Sequence, residues 1–158
     1  MFYFWEIEMK LYQVVAYTLM ITFAMQSSFA ATDIQMDFVK KLYQTGKQLQ
    51  KGTEIVEMYA DDSLKLAFNL AARDGEVCGF GADPMWQSQD PEYQKKLTFT
   101  KVGENKIKVN MAKKNYDHAS WVTYKLNCKG RVCKISDVID NTGSLMKNIY
   151  EECRDPYQ

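Results

Sequence analysis

The sequence lacks an excess of charge of either sign. It has 20 Lys and Arg residues and 20 Asp and Glu residues, and its net charge is zero. No basic block is present, which excludes the usual electrostatic footprint of a nucleic-acid-binding protein. Only three prolines occur and no repeats or low-complexity tracts, so the chain is neither a linker nor a disordered tail. The 46% of hydrophobic residues suffices for the core of one ordinary domain.

The chain also has few groups that bind metals or act as nucleophiles. Its one histidine, His118, lies in a polar loop without a serine or cysteine nucleophile motif nearby, which favours a solvated loop residue. The four cysteines form no CxxC pair and are distant from His118, so disulfides are favoured over a zinc site. We therefore predict no metal, no cofactor and no enzymatic activity.

Residues 1–30 have the pattern of a secretory signal peptide. Lys10 precedes a charge-free segment, LYQVVAYTLMITFAMQSSFA, that ends with the small residues Ser28 and Ala30 at positions −3 and −1 of a cleavage site. The apolar part ends at Met25 and is shorter than the roughly 20 residues of a membrane span. We predict cleavage after Ala30 and export to the bacterial periplasm, which leaves one domain over residues 31–158.

The start of this segment leaves an alternative open. Residues 1–8, MFYFWEIE, are aromatic and acidic where a basic segment is expected, so Met9 is the preferred true start. An uncleaved anchor helix is the competing interpretation. No cysteine follows the cleavage site, which disfavours a lipoprotein anchor, so the membrane is involved only through the export signal.

An even number of cysteines in an exported chain predicts two disulfides, for which three connectivities are possible. In YKLNCKGRVCKI, a two-residue turn at Gly130 and Arg131 places Cys128 opposite Cys133 at a non-hydrogen-bonded position. Opposed Cα atoms there approach to about 4.5 Å, which a disulfide accepts. By elimination, Cys78 then pairs with Cys153.

The same register extends along the predicted hairpin. It places Leu126 opposite Ile135, and it also makes two further pairs, Tyr124 with Asp137 and Val122 with Ile139. One face of the hairpin is then largely apolar, so the hydrophobic pattern and the cysteine pairing agree on one register.

The periodicity of apolar residues predicts an α+β fold. Helical spacing is found over residues 34–49, 53–59 and 63–73, and Asp83-Pro84 is typical of the start of a short helix. From Leu97 the period changes to two, which predicts an antiparallel meander up to about Ile139. A last helix carries Cys153, so helices come first, then strands, then one helix.

This order, closed by CKISDVIDNTGSLMKNIYE, resembles the nuclear transport factor 2-like (cystatin-like) fold. DPMWQSQD, residues 83–90, is similar to a segment of an exported bacterial family known only as a domain of unknown function. The resemblance covers about residues 37–150 and implies N-terminal helices packed on a curved, cone-like antiparallel sheet. One departure is Cys133, since the final strand of the family usually has a Trp before its Lys/Arg-Ile pair.

The resemblance also implies candidate catalytic residues. Ketosteroid-isomerase-like members use an Asp base with Tyr or Asp donors in the pocket of the cone. Asp137 and Tyr124, predicted to face each other, are the nearest counterparts. The favoured alternative is structural: Asp137 bonds to Tyr124 or to backbone, or a bulge turns it outward.

The loop over residues 78–91 and one strand supply candidate binding residues. Asp83, Gln89 and Asp90 carry oxygens suited to a hard cation, but capping and turn roles are favoured because the spacing of a calcium loop is missing. Trp86 and Trp121 are either core residues or exposed anchors for a partner. Trp121 lies on the polar face of its strand.

These observations favour a non-enzymatic binding protein of the periplasm that contacts another protein through the open face of its sheet or the 78–91 loop. An immunity or inhibitor protein against a periplasm-acting toxin is the concrete form of this hypothesis. The alternatives are an isomerase-like enzyme, which requires a hollow cone, and a carrier of a small-molecule ligand. A core filled by side chains would argue against the enzyme.

Overall fold

The computed structural model describes residues 34–72, 78–79, 81–112 and 120–153. The predicted signal peptide and His118 lie outside these residues. Within them, no helix has both the length and the apolar character needed to cross a membrane.

In the described part of the chain, three helices precede the sheet and one follows it. Helix α1 covers residues 34–49 of the described chain, α2 covers Thr53–Tyr59, α3 covers Asp62–Ala71 and α4 covers Leu145–Glu152. Helix α3 begins where the Asp61 carboxylate accepts a hydrogen bond from the backbone N–H of Leu64, as expected of an N-cap. Its buried residues recur at helical spacing and form one apolar face: Leu64, Ala67, Phe68 and Ala71.

Five antiparallel strands follow one another across the sheet in chain order. They are β1 (Leu97–Gly103), β2 (Lys106–Met111), β3 (Ser120–Lys129), β4 (Val132–Asp140) and β5 (Gly143–Ser144). The sheet is not closed, since β1 and β5 lie at its two ends. The predicted α+β fold, with helices before a meander and one helix after it, is confirmed.

Strong alternation separates the two faces of the central strands. One face is fully buried and forms the core with the helices; its members in β2 and β3 are Ile107, Val109, Met111, Val122, Tyr124 and Leu126. We call this the inner face. Within these two strands the intervening residues are polar apart from Trp121, and all but Thr123 are exposed or half-buried. They form the outer face: Lys106, Lys108, Asn110, Trp121, Thr123, Lys125 and Asn127.

Both predicted disulfides are present. Cys128 lies opposite Cys133 in the β3–β4 register, with a Cα–Cα distance of 4.0 Å. Cys78 bonds to Cys153 at the end of α4, with a Cα–Cα distance of 5.7 Å. Disulfides are typical of proteins in oxidising compartments outside the cytoplasm.

The β3–β4 register differs from the prediction beyond Leu126, which pairs with Ile135 as expected. A bulge follows, so Tyr124 lies opposite Val138 instead of Asp137, and the predicted pairing of Val122 with Ile139 is also wrong. Strict alternation would have placed the Asp137 carboxylate against the core. The extra residue in β4 puts the apolar Val138 there, and the Asp137 carboxylate is buried elsewhere, where the Ser144 hydroxyl and backbone N–H groups donate to it.

The pairing of Ile139 changes for the same reason, since its Cα partner in the structure is Thr123. The short helix predicted at Asp83-Pro84 is also wrong. It is a single turn, in which the backbone N–H of Gln87 donates to the carbonyl of Asp83. Gln87 has a φ of 54°, in the left-handed region, and cannot continue a right-handed helix.

The two disulfides should contribute unequally to stability. They close loops of very different length, with sequence separations of 75 for Cys78–Cys153 and 5 for Cys128–Cys133. In the chain-entropy model, replacing the first pair by serine costs about 4 kcal/mol of unfolding free energy and replacing the second about 2 kcal/mol. Urea denaturation of the two double variants measures both losses. A larger loss for the hairpin pair would contradict this ranking.

Candidate binding surface

Asp83 joins the 81–91 loop to the start of α2. Its carboxylate accepts hydrogen bonds from the backbone N–H groups of Thr53 (3.1 Å), Met85 (2.8 Å) and Trp86 (3.0 Å). The carboxylate lies so close to Gly52 that a Cβ at that position would collide with it. The structure therefore gives Asp83 the capping role that sequence analysis favoured over cation binding.

Burial and hydrogen bonding shift the pKa of Asp83 in opposite directions. Burial raises the pKa of its carboxyl group above the ordinary value of 3.8, although the backbone N–H groups that donate to it favour the charged form and oppose the shift. Asp83 is thus a loop anchor whose ionisation disfavours the folded state.

The other candidates in this loop also have local structural roles. Gln89 donates from Nε2 to the carbonyl of Gly81 at 2.9 Å, and the backbone of Asp90 exchanges hydrogen bonds with the Ser88 hydroxyl. No group of three or more His, Cys, Asp and Glu residues that could hold a metal ion occurs in the described part of the chain.

Trp86 is a core residue with 1% of its surface exposed. Its ring meets Tyr43 and Tyr93 edge to face, with centroid distances of 5.1 and 5.3 Å. Its buried Nε1 atom has no hydrogen-bond partner among the residues that the structure describes. Of the two interpretations of Trp86, the exposed anchor is therefore wrong, because no ring surface is left for a partner.

Aromatic rings occupy the inner face of the sheet near the middle of β2 and β3. Tyr43 of α1 contacts Phe99 and Tyr124 edge-on, at centroid distances of 5.8 and 6.0 Å, in addition to Trp86. The Tyr124 hydroxyl donates to the Tyr43 hydroxyl at 3.2 Å, which donates to the carbonyl of Met85 at 2.8 Å. Burial raises the pKa of both phenols, so both are neutral at physiological pH.

Asp137, the other catalytic candidate, is not paired with Tyr124. It is 7% exposed, and its carboxylate accepts hydrogen bonds from the Ser144 hydroxyl (2.7 Å) and the backbone N–H groups of Val138 (2.9 Å) and Met146 (3.3 Å). Ser144 in turn caps α4. Asp137 therefore holds the start of the last helix, which is the structural alternative that the sequence favoured.

One depression in the described surface is open and is lined mostly by charged and polar residues. It has a volume of about 190 Å³ and is lined by Asp61, Asp62, Asn127, Lys129, Val132 and Lys134. Small-molecule pockets are commonly about 300–1,000 Å³ and mostly apolar. This depression is smaller than that range, and it offers no support for a carrier.

Trp121 lies on the outer face, as its alternation predicted. It is half-exposed in β3 and pairs with Asn110 of β2. The Nζ of Lys108 lies 4.3 Å from the centroid of its ring, a cation–π contact. Two residues from Lys108 along β2, Lys106 lies directly opposite Lys125 of β3. We call Lys106, Lys108, Trp121 and Lys125 the lysine–tryptophan face.

Sequence analysis did not find this group as a unit. Alternation alone places Lys106 and Lys108 on one face of β2, and Lys125 on the outer face of β3. The connection over residues 112–119 is too long to fix the β2–β3 register, whereas a two-residue turn does so in a hairpin. A search for lysines at alternate positions of neighbouring strands could have found the group.

Comparisons of the chain with protein-family models, curated proteins and solved structures found no match.

Stability should depend on pH through Asp83. Its folded pKa is raised, so between pH 3.8 and that pKa the folded state binds more protons than the unfolded state. The contribution of this group to the unfolding free energy therefore falls as the pH rises through that window. We expect the stability lost in Asp83→Asn to be largest near pH 4 and smaller at pH 7, as measured by urea denaturation.

Asp61→Asn is the matched control, because it removes another capping carboxylate and the same charge. The loss of unfolding free energy in Asp83→Asn, corrected for this control, could instead grow as the pH rises. The backbone hydrogen bonds would then lower the pKa of Asp83 more than burial raises it, and the raised pKa would be wrong.

Proposed function

We propose that the protein is a non-enzymatic binding protein of the bacterial periplasm, with a nuclear transport factor 2-like fold, that contacts another protein through the outer face of its sheet. The observation that carries the proposal is the half-exposed Trp121 on an open polar face, opposite an inner face that is filled by side chains. Tryptophan is enriched among the residues that contribute most to protein–protein binding.

Export has two lines of support. Residues 10–30 have the basic start, the apolar segment and the small-residue cleavage site of a signal peptide, and the domain holds two disulfides with no free cysteine among the described residues. Disulfides persist in oxidising compartments such as the periplasm. A disulfide-braced domain is also well suited to presenting a rigid surface, since it loses little conformational freedom when a partner binds.

The structural roles of the two catalytic candidates, Asp137 and Tyr124, support a non-enzymatic function. The carboxylate of Asp137 holds α4, and the hydroxyl of Tyr124 is bonded to Tyr43 in the core. An isomerase-like enzyme and a small-ligand carrier both need space on the inner face, and the rings of Tyr43, Trp86 and Phe99 lie there. Binding of a protein on the outer face requires no cavity on the inner face.

An immunity or inhibitor protein is the concrete form of this proposal. Such a protein must survive outside the cytoplasm, recognise one toxin and present a fixed surface to it. The disulfides and the filled core support the durability and the fixed surface that this role requires, and the open face is where we propose that the toxin binds.

Photo-crosslinking in the periplasm tests the proposal. A photoreactive amino acid at Asn110 or Asn127, both on the outer face, should give a discrete adduct with one protein on irradiation. The same amino acid at Lys65 on α3 is the control and should give none. Trp121→Ala should weaken binding of the purified partner by about 2 kcal/mol or more, as for an interface anchor, in a calorimetric titration.

Adducts at Lys65 alone, or none at either outer-face position, would refute the outer face as the contact surface. If the captured protein stops growth when it is sent to the periplasm, and co-expression of this chain restores growth, the immunity role is supported. Growth that is unaffected by the captured protein would contradict that role.

A further inference from the structure

We infer that the lysine–tryptophan face recognises an acidic surface on the partner protein; this inference rests on the proposed function. The first observation is the register of β2 and β3. Lys106 and Lys125 are direct cross-strand partners, and Lys108 is two residues along the same face of β2. Three ammonium groups therefore extend from one small area of the sheet.

This arrangement is unfavourable in the isolated domain. Like charges directly opposite each other on neighbouring strands destabilise a sheet. A carboxylate at either position would have converted the repulsion into an attraction. The pair is therefore not explained by the stability of the fold, whereas a negatively charged partner would relieve the repulsion and gain from both charges.

No carboxylate of the described residues neutralises the three lysines. Asp137 is the Cα partner of Lys125 on the β4 side, but its carboxylate is bonded to Ser144 and to backbone N–H groups. Lys134, in contrast, has a partner, since its Nζ lies 3.8 Å from Asp62. Lys106, Lys108 and Lys125 form no such ion pair within the described part of the chain.

Trp121 adds an aromatic surface to the three charged groups of the lysine–tryptophan face. The ammonium group of Lys108 lies over its ring, which fixes the position of the charge beside an apolar surface. A protein interface combines such an aromatic anchor with charged groups around it. Since the net charge of the chain is zero, attraction of an acidic partner must come from this local field and not from the whole molecule.

The occupant is therefore an acidic protein surface, and the alternative of an anionic membrane is decided by experiment. The exported chain is titrated with a short poly-L-glutamate peptide and, separately, with vesicles of phosphatidylcholine and phosphatidylglycerol in equal parts. Tryptophan fluorescence, to which Trp121 contributes together with the buried Trp86, and calorimetry follow binding. We expect the peptide to bind and its affinity to fall steeply as the salt concentration rises, because salt screens exposed charges.

Two triple variants with the same change of charge locate the binding site. Lys106→Gln/Lys108→Gln/Lys125→Gln removes the three ammonium groups of the face and should weaken peptide binding about tenfold. The control replaces three exposed helical lysines by glutamine, Lys41, Lys47 and Lys65, and should leave the affinity unchanged. If the first triple variant fails to fold, Lys106→Gln/Lys125→Gln, which keeps the Lys108–Trp121 contact, replaces it.

Every outcome decides the inference. Salt-sensitive peptide binding that is weakened about tenfold in the face variant and unchanged in the control supports it. Absence of peptide binding, or an equal loss in the two triple variants, overturns it. Vesicle binding that needs the three lysines, without peptide binding, overturns it in favour of a membrane surface.

The result is also separable from that of the proposed function. If photo-crosslinking at Asn110 and Asn127 captures a protein whose affinity for the face variant is unchanged, the binding role stands and the acidic partner does not. If crosslinking fails but the peptide binds through the three lysines, the anion-recognising face stands without the proposed partner.

Discussion

The hydrogen-bond chain through Tyr43 is the constraint on which the rest of the structure depends. Tyr43 belongs to α1, accepts from Tyr124 in β3 and donates to the carbonyl of Met85 in the 81–91 loop, so one buried side chain connects three distant parts of the chain. Buried polar groups without partners are costly, and loss of one bond would leave a hydroxyl or a carbonyl unpaired in the core. Asp83 completes the arrangement by joining the loop to α2.

This constraint assigns different roles to the two faces of the sheet. The inner face is filled by the rings around Tyr43 and by the helices, and the candidate catalytic groups Asp137 and Tyr124 are used to hold the fold. The outer face carries Trp121 and lysines that the fold does not neutralise. Function is therefore best sought on the outer face, as surface recognition.

The sequence was sufficient for those features that depend on short-range patterns. The order of helices and strands followed from apolar periodicity, and the pairing of Cys128 with Cys133 followed from a two-residue turn that fixes the register. The predicted pairing of Tyr124 with Asp137 was wrong because β4 contains a bulge. The bulge shifts the register by one residue, and no residue type in the sequence marks its position. The lysine–tryptophan face could not be predicted, since the connection between β2 and β3 does not fix which residues become neighbours.

The titration of Tyr43 and Tyr124 tests the central claim, a sealed inner face, most directly. In the protein labelled with ¹³C at the tyrosine ring carbon that bears the hydroxyl, replacement by phenylalanine assigns the two resonances. Burial raises the pKa of both phenols above the ordinary value of 10.0. The account predicts that neither resonance moves as the pH passes 10 until the protein unfolds. A shift of either resonance with a midpoint near pH 10 in the folded protein would show that solvent reaches the inner face and would contradict the account.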